Sequence, residues 1–213
     1  NAAVKHAGGI TLSQHNAFKL SGHPVEVGFE LTSGWSNYIA SRPKLFHEPL
    51  NKGARLGFTA NGDTHRRAPG LSGALTGIYA QELTAESVLD ALRKRRCFAT
   101  MGSQIFLDTR AGDAIMGDEA TAKDGRITLT LHAIGTRPIT RARLVRNGET
   151  IREMTGNGTR EFKASLTDEG LRKGTHWYYW RVSQSGVGPV LPENLMPAHG
   201  HHAWSSPHWV VVE

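Results

Sequence analysis

The sequence is poor in cysteine and has no long apolar run. Cys97 is the only cysteine among 213 residues, which excludes an intramolecular disulfide and a zinc site built from several cysteines. No stretch reaches the roughly 18 consecutive apolar residues that a transmembrane helix needs, so we expect no membrane span. No Ser/His/Asp set is evident either, so a covalent catalytic intermediate is not indicated.

The chain also lacks an initial methionine, since it begins at Asn1. Residues 1–9 contain no apolar core of the kind that secretory signals carry. We therefore expect the sequence to be a fragment or a processed product from which any targeting signal has been lost. Its localisation, whether periplasmic, secreted or cytoplasmic, stays open.

Acidic residues are outnumbered by basic ones. Hydrophobic residues make up 38% and charged residues 21% of the chain, a balance that favours a packed core over disorder. The net charge of +6 is compatible with anionic partners. The densest basic cluster, residues 93–96, is not interleaved with aromatic residues, so we expect no nucleic-acid partner. The oligomeric state is not indicated.

Short apolar stretches in the first half predict strands that are bounded by glycine, proline or polar residues. These strands are 10–14, 25–31, 56–60 and 75–80, and residues 36–52 between them have helical potential. The clearest helix is predicted over 84–96, where Thr84 can cap the amino terminus and apolar side chains recur at helical spacing. Strands that alternate with helices predict an α/β fold.

The pattern changes after Gly102, where few helices are indicated. Strands are predicted within 105–110, 126–134, 139–154, 159–166, 176–184 and 208–213. Asn147-Gly148, between alternating stretches, is a strong hairpin signal. These features predict a β-sandwich, and we place an α/β portion at residues 1–104 and an all-β domain at residues 105–213.

The first candidate functional residues are Asp63 and His65, which follow the predicted strand 56–60. At positions i and i+2 of an extended segment, a carboxylate and an imidazole point to the same side and can ligate one metal or two adjacent metals. His15 follows the strand 10–14 in the same way, and ligands at the carboxyl ends of barrel strands converge on one edge. The alternative is a polar turn in which Asp63 accepts backbone hydrogen bonds and the histidines have no ligand role.

A longer block that contains these residues resembles a known family. The segments GFTANGDTHRRAPG (57–70), LTGIYAQELTAESVLDALRKRRCFAT (75–100) and GSQIFLD (102–108) resemble the PHP (polymerase and histidinol phosphatase) superfamily. Within it, the chain is most similar to carbaryl-hydrolase-like proteins with a C-terminal β-sandwich. GGITLSQHNA (8–17) resembles the preceding ligand motif of that family.

The resemblance implies the C-terminal part of a distorted β/α (PHP-type) barrel that binds two or three divalent metals, such as zinc, manganese or iron. It implies that His15 and His65 are ligands of one metal and that Asp63 is a ligand of another. The catalytic role of Asp63 would include taking a proton from a metal-bound water. The early H-x-H motif of the family is missing here, so we expect this chain to build only part of the site.

Other polar residues near these positions are candidates for supporting roles. Arg66 and Arg67 can bind an anionic substrate through bidentate hydrogen bonds, or they are ordinary surface arginines. Asn16, Ser33 and Glu30 can orient the ligands through hydrogen bonds, and Glu30 can alternatively pair with an arginine.

Two groups near the carboxyl terminus leave alternatives open. One is a set of imidazoles that could hold zinc or copper, namely His199, His201, His202 and His208. The other is a set of aromatic residues that would suit a binding surface but are also typical of a core, namely Trp177, Tyr178, Tyr179, Trp180, Trp204 and Trp209.

The favoured interpretation is a metal-dependent hydrolase that cleaves phosphoesters or related small anionic esters with a metal-activated water. The alternative is a non-catalytic binding module, with a relic barrel and a β-sandwich that recognises a partner or a carbohydrate. We expect the 213-residue chain alone to hydrolyse phosphoesters poorly or not at all.

Overall fold

The structure is a computed structural model that describes residues 2–14, 20–63, 70, 74–186 and 200–213. The helices within these ranges are short. They are α1 (Ala2–His6), α2 (Tyr38–Ser41), α3 (Lys44–Asn51) and α4 (Ala85–Arg93). None of these described helices is long and apolar enough to cross a membrane.

Strands account for most of the regular structure. The described strands are β1 (Thr11–Ser13), β2 (Glu26–Ser33), β3 (Gly57–Asn61), β4 (Leu75–Ile78), β5 (Cys97–Met101), β6 (Phe106–Ala111), β7 (Ala114–Ile115), β8 (Glu119–Ala122), β9 (Ile127–Ile134), β10 (Ile139–Arg146), β11 (Glu149–Thr155), β12 (Glu161–Asp168), β13 (Gly174–Gln184), β14 (His201–Ser205) and β15 (His208–Val212). They form sheets of three, eight and four strands.

The three-stranded sheet is parallel and has the order β1-β2-β3. Gly28 of β2 pairs with Gly57 of β3, and α2 and α3 lie in the connection between these strands. Parallel neighbours need such a crossover, because the chain must return to the same end of the sheet. β2 is buried along nearly its whole length, as is typical of a parallel strand that is covered on both faces.

The eight-stranded sheet is the largest. Its main path runs β11-β10-β13-β14-β5-β4 with antiparallel neighbours, while β15 pairs with β13 and, in parallel, with β8. Asn147 and Gly148 connect β10 to β11, and both have positive φ, as a tight type I′ hairpin turn requires. The four-stranded sheet has the order β12-β9-β6-β7 and is antiparallel.

β13 lies in the middle of the molecule and is covered on both faces. Side chains of a strand point alternately to opposite faces. Tyr178 and Trp180 pack in a hydrophobic cluster with the four-stranded sheet. Trp177 and Tyr179 pack in a second cluster with the parallel sheet, where Tyr179 meets Phe58 edge to face. The eight-stranded sheet is therefore the central layer of three.

The expected β/α barrel is wrong, because the described chain is mostly β sheet and its parallel part ends after three strands. β5 follows α4 but pairs antiparallel with β4 and β14 instead of continuing the parallel sheet. All five residues of β5 are buried, and its second partner lies about a hundred residues further along the chain. The division into domains at residue 104 stays a prediction, although the sheet that β5 shares with β14 crosses it.

The aromatic residues considered above for a binding surface belong to the two hydrophobic clusters instead. All are less than 5% exposed, namely Trp177, Tyr178, Tyr179, Trp180, Trp204 and Trp209. These six side chains therefore pack mainly inside the molecule.

We expect Trp180→Ala to lower the free energy of unfolding by about 3–5 kcal/mol, the usual cost of removing a buried aromatic side chain. Trp180 is fully buried between two sheets. Trp35→Ala is the matched control, because Trp35 is 45% exposed and its loss should cost less than about 1 kcal/mol. Urea unfolding followed by circular dichroism measures both, and equal losses would contradict the three-layer packing.

Candidate functional site

The carboxyl ends of β2 and β3 carry a group of polar and aromatic side chains. β2 ends at Ser33, β3 ends at Asn61, and these two residues are register partners. The segments that follow neighbouring parallel strands emerge at the same edge of the sheet, where α/β proteins commonly bind ligands. We call this group the strand-end cluster; its members are Glu30, Ser33, Trp35, Tyr38, Asn61 and Asp63.

The deepest member of the strand-end cluster is Glu30, which is only 2% exposed. The side-chain amide of Asn61 donates to Glu30 Oε1 at 3.0 Å. A hydrogen bond to a carboxylate is stronger than one between neutral groups, and a buried carboxylate needs such donors. Glu30 therefore holds the amide of Asn61 at the end of β3.

Two loops are tied together above Glu30. Ser33 Oγ hydrogen-bonds with the hydroxyl of Tyr38 at 3.0 Å and accepts from the backbone N–H of Trp35 at 3.1 Å. The indole N–H of Trp35 donates to the backbone carbonyl of Asp63 at 2.6 Å. Asn37 caps α2 and so sets the point at which Tyr38 enters the helix. These bonds connect the turn after β2 to the turn after β3.

Asp63 has a left-handed backbone conformation, with φ of 45°. Aspartate tolerates this region better than most residues other than glycine. The bond from Trp35 to its carbonyl restrains this conformation, and the side chain stays partly exposed. The position of the Asp63 carboxylate is thus defined by a constrained turn.

The charges that act on Tyr38 in the strand-end cluster are the carboxylates of Glu30 and Asp63 and the guanidinium of Arg42. Burial raises the pKa of Tyr38; the hydrogen bond with Ser33 lowers it, and the negative charges of Glu30 and Asp63 raise it. Tyr38 is therefore a neutral hydroxyl at physiological pH. Because it responds to both carboxylates, Glu30 and Asp63 contribute to one acidic environment.

The structure brings together three of the residues that the sequence analysis selected, Asp63, Glu30 and Ser33. The other five lie outside the described residues, and the roles assigned to them stay predictions; they are His15, Asn16, His65, Arg66 and Arg67. The convergence of two histidines and Asp63 on one cavity is a prediction for the same reason.

Sequence reasoning missed three members of the strand-end cluster, Trp35, Tyr38 and Asn61. The position of Asn61 at the end of a strand, two residues before Asp63, is a signal that could have identified it. Trp35 lies in a turn directly after β2, where a large aromatic residue is unusual. No local signal marks Tyr38, because its contact with Ser33 depends on how α2 folds back.

The part of the chain that the structure describes contains no group of three or more His, Cys, Asp and Glu side chains that could hold a metal. In the strand-end cluster the potential ligands are the carboxylates of Glu30 and Asp63. A metal site in which His15 and His65 join these carboxylates stays a prediction.

The histidines near the carboxyl terminus that the structure describes do not share one site. Each of the three described ones hydrogen-bonds with a different hydroxyl group. The pairs are His201 with Ser103 at 2.7 Å, His202 with Ser183 at 2.8 Å and His208 with Thr109 at 2.9 Å. Burial, with a smaller contribution from the charge of Arg110, lowers the pKa of His208 to about 3. These contacts favour structural roles; His199 lies outside the described residues.

Because His208 is buried, we expect acid to destabilise the folded protein. Between pH 6.5 and about 3 the folded protein keeps His208 neutral while the unfolded chain takes up a proton, so the free energy of unfolding should fall as the pH falls. The slope contributed by this group approaches about 1.4 kcal/mol per pH unit in that window.

Urea unfolding at several pH values measures this slope. His208→Gln removes the titrating group and should flatten it, whereas His6→Gln, an exposed control, should leave it unchanged. The same slope in the wild type and in His208→Gln would disprove the assignment.

Comparison with known proteins shows similarity over part of the chain. Residues 32–135 match the family model described as Protein of unknown function (DUF3604). Two chlamydial proteins, both named as uncharacterized, are also similar. The protein of Chlamydia muridarum is 28% identical over 189 residues and that of Chlamydia pneumoniae is 30% identical over 187 residues. Each match covers 76% of this chain and 28% of the relative, so the chain spans less than a third of their length.

Among solved structures, the chain has a distant likeness to the CARDB domain of a Pyrococcus furiosus protein, which was solved in complex with di-metal ions. The match covers 52% of this chain and 89% of that domain, with 14% sequence identity and a TM-score of 0.35.

The expected membership of the PHP superfamily is wrong, since the family model that matches the chain is DUF3604. The block 57–108 carried that resemblance, yet β4 and β5 within it pair antiparallel with each other, unlike the parallel strands that the family implies. Over residues 32–135 the chain is similar to the DUF3604 family.

Proposed function

We propose that this part of the chain is a binding module and that the strand-end cluster binds a carbohydrate. The observation that supports this proposal most directly is the state of Trp35, which is exposed although two hydrogen bonds hold it in place. Tryptophan is enriched among residues that dominate recognition. A side chain that is already fixed loses little conformational entropy when a ligand binds.

The chemistry around Trp35 suits a ligand with both apolar and hydroxylated faces. The indole offers an apolar surface to the C–H face of a sugar ring, while Asp63 and Asn61, both partly exposed, offer oxygen acceptors to its hydroxyl groups. Ligand sites typically combine such an apolar wall with a few fixed polar groups. Glu30 and Ser33 are buried and orient these groups without contacting the ligand.

We expect Trp35→Ala to weaken saccharide binding at least about tenfold, as is usual for a dominant contact residue. Isothermal titration and NMR titration against a panel of neutral mono- and oligosaccharides measure this. Phe106→Ala is the matched control, because Phe106 is 41% exposed but lies on β6. The proposal fails if no saccharide binds, or if both variants weaken binding equally.

We propose metal-dependent hydrolysis of a small anionic ester as a second candidate function. It is supported by the shared environment of Glu30, which lies within β2, and Asp63, which follows β3. The positions of His15 and His65 just after β1 and β3 in the sequence also support it. Divalent ions bound there would supply an activated water, with zinc, manganese and iron as the candidates. Asp63 would serve as a ligand of such an ion.

A hydrolysis assay separates the two functions. p-Nitrophenyl phosphate and a phosphodiester are tested with each metal, using this chain and a longer protein that contains it. We expect little activity in this chain alone, and we expect Asp63→Asn and His65→Ala to abolish any activity of the longer protein, since each removes a ligand. Asp113→Asn, at an exposed turn, is the control for loss of charge. Unchanged turnover in the Asp63 and His65 variants would exclude the hydrolase role of these residues.

A further inference from the structure

A pocket lies at the end of the parallel sheet opposite the strand-end cluster, where β2 and β3 begin. It has a volume of about 300 Å³, and its charged lining consists of His23, Glu26, Arg55 and Arg95. The carboxylate of Glu26 accepts hydrogen bonds from the backbone N–H and the hydroxyl of Ser21, so it is engaged within its own loop. Two guanidinium groups and one carboxylate therefore line the pocket, so positive side chains outnumber negative ones there.

Arg95 lies just after the carboxyl end of α4, at a position where glycine is the usual residue. α4 ends at Arg93; the N–H of Arg95 donates to the carbonyl of Leu92, and the N–H of Arg96 donates to the carbonyl of Ala91. These two bonds form a Schellman motif, whose left-handed residue is normally glycine. Arg95 has φ of 59°, a region that strains a residue with a side chain. Because the backbone of Arg95 is strained, we infer that its side chain has a function that offsets this cost.

The carboxylates near Arg95 are engaged by other arginines. Asp118 accepts from Arg96 at 2.9 and 3.4 Å, and Glu119 pairs with Arg55 at 2.8 Å. Arg95 itself donates to backbone carbonyl groups, and it forms no ion pair with a carboxylate in the described ranges of the chain. Within the described residues, the carboxylate charge that acts on Arg95 is that of Asp118, which raises its pKa without forming a direct ion pair with it.

The two guanidinium groups that line the pocket each contact the same aromatic ring. Arg55 and Arg95 lie over Trp209, with their Cζ atoms 4.9 and 5.4 Å from the ring centroid. Burial, and then the positive charge of Arg55, lower the pKa of Arg95, whereas the charge of Asp118 raises it. His23 Nδ1 accepts from the N–H of Val25, so its Nε2 carries a proton and adds a third donor.

We propose that Arg55, Arg95 and His23 form a binding site for a phosphate group. Guanidinium groups bind phosphate oxygens through paired hydrogen bonds, and two of them with an imidazole donor provide several such contacts. A neighbouring pocket of about 380 Å³ shares Arg55 and is lined by Asn51 and Asn147. It has room for the polar body of a phosphate ester, so the phosphate group comes either from the free ion or from a small ester.

The test is a titration of the folded chain with sodium phosphate and with glycerol 3-phosphate, followed by calorimetry and by NMR. We expect Arg55→Gln and Arg95→Gln each to weaken binding at least about tenfold, since each removes a charged donor. Arg95→Gly should also lose binding, and it should fold, because glycine suits the left-handed position. Arg152→Gln, which removes an exposed charge on β11, is the control and should bind like the wild type.

The two ligands distinguish the sources of the phosphate group. Tighter binding of glycerol 3-phosphate supports a site for an ester whose body enters the neighbouring pocket, and equal binding supports a site for the free ion. The proposal is overturned if neither ligand gives saturable binding below about 20 mM. It is also overturned if Arg152→Gln weakens binding as much as Arg95→Gln does.

Discussion

The burial of β13 on both faces is the constraint on which the rest of the structure depends. Four consecutive large aromatic residues, 177–180, cannot leave water if only one face of their strand is covered, because alternate side chains point in opposite directions. The four-stranded sheet covers Tyr178 and Trp180, and the parallel sheet with α2 and α3 covers Trp177 and Tyr179. The parallel sheet is thus a required layer of the core.

This packing also positions the two candidate sites. The edge-to-face contact between Phe58 of β3 and Tyr179 of β13, with ring centroids 5.2 Å apart, anchors β3 against the central sheet. The ends of the anchored parallel sheet then differ in chemistry. Its carboxyl end has the acidic strand-end cluster, and its amino end has the pocket of Arg55 and Arg95.

Elements with strong local signals could be predicted from the sequence. Thr84 does cap α4, and Asn147-Gly148 does form the turn between β10 and β11, because both features depend on neighbouring residues only. The prediction of Asp63 as a member of a polar site at a strand end relied on the same kind of signal. β14 was not predicted, and the antiparallel pairing of β5 with it was missed. β5 and β14 lie far apart in the sequence, and the residues of each strand do not indicate which distant strand will pair with it.

By itself, the sequence determined many of the strands, the hairpin turn at Asn147-Gly148 and the cap of α4, since these follow from alternation, turn residues and capping residues. Only the tertiary structure decided that the parallel sheet stops at three strands and that the aromatic run lies between two layers. Likewise, Tyr38 contacts Ser33, and Arg55 and Arg95 both contact Trp209, only after the chain has packed. The physical reason is that a strand has two edges and two faces, and its local sequence does not specify which distant partner occupies each of them.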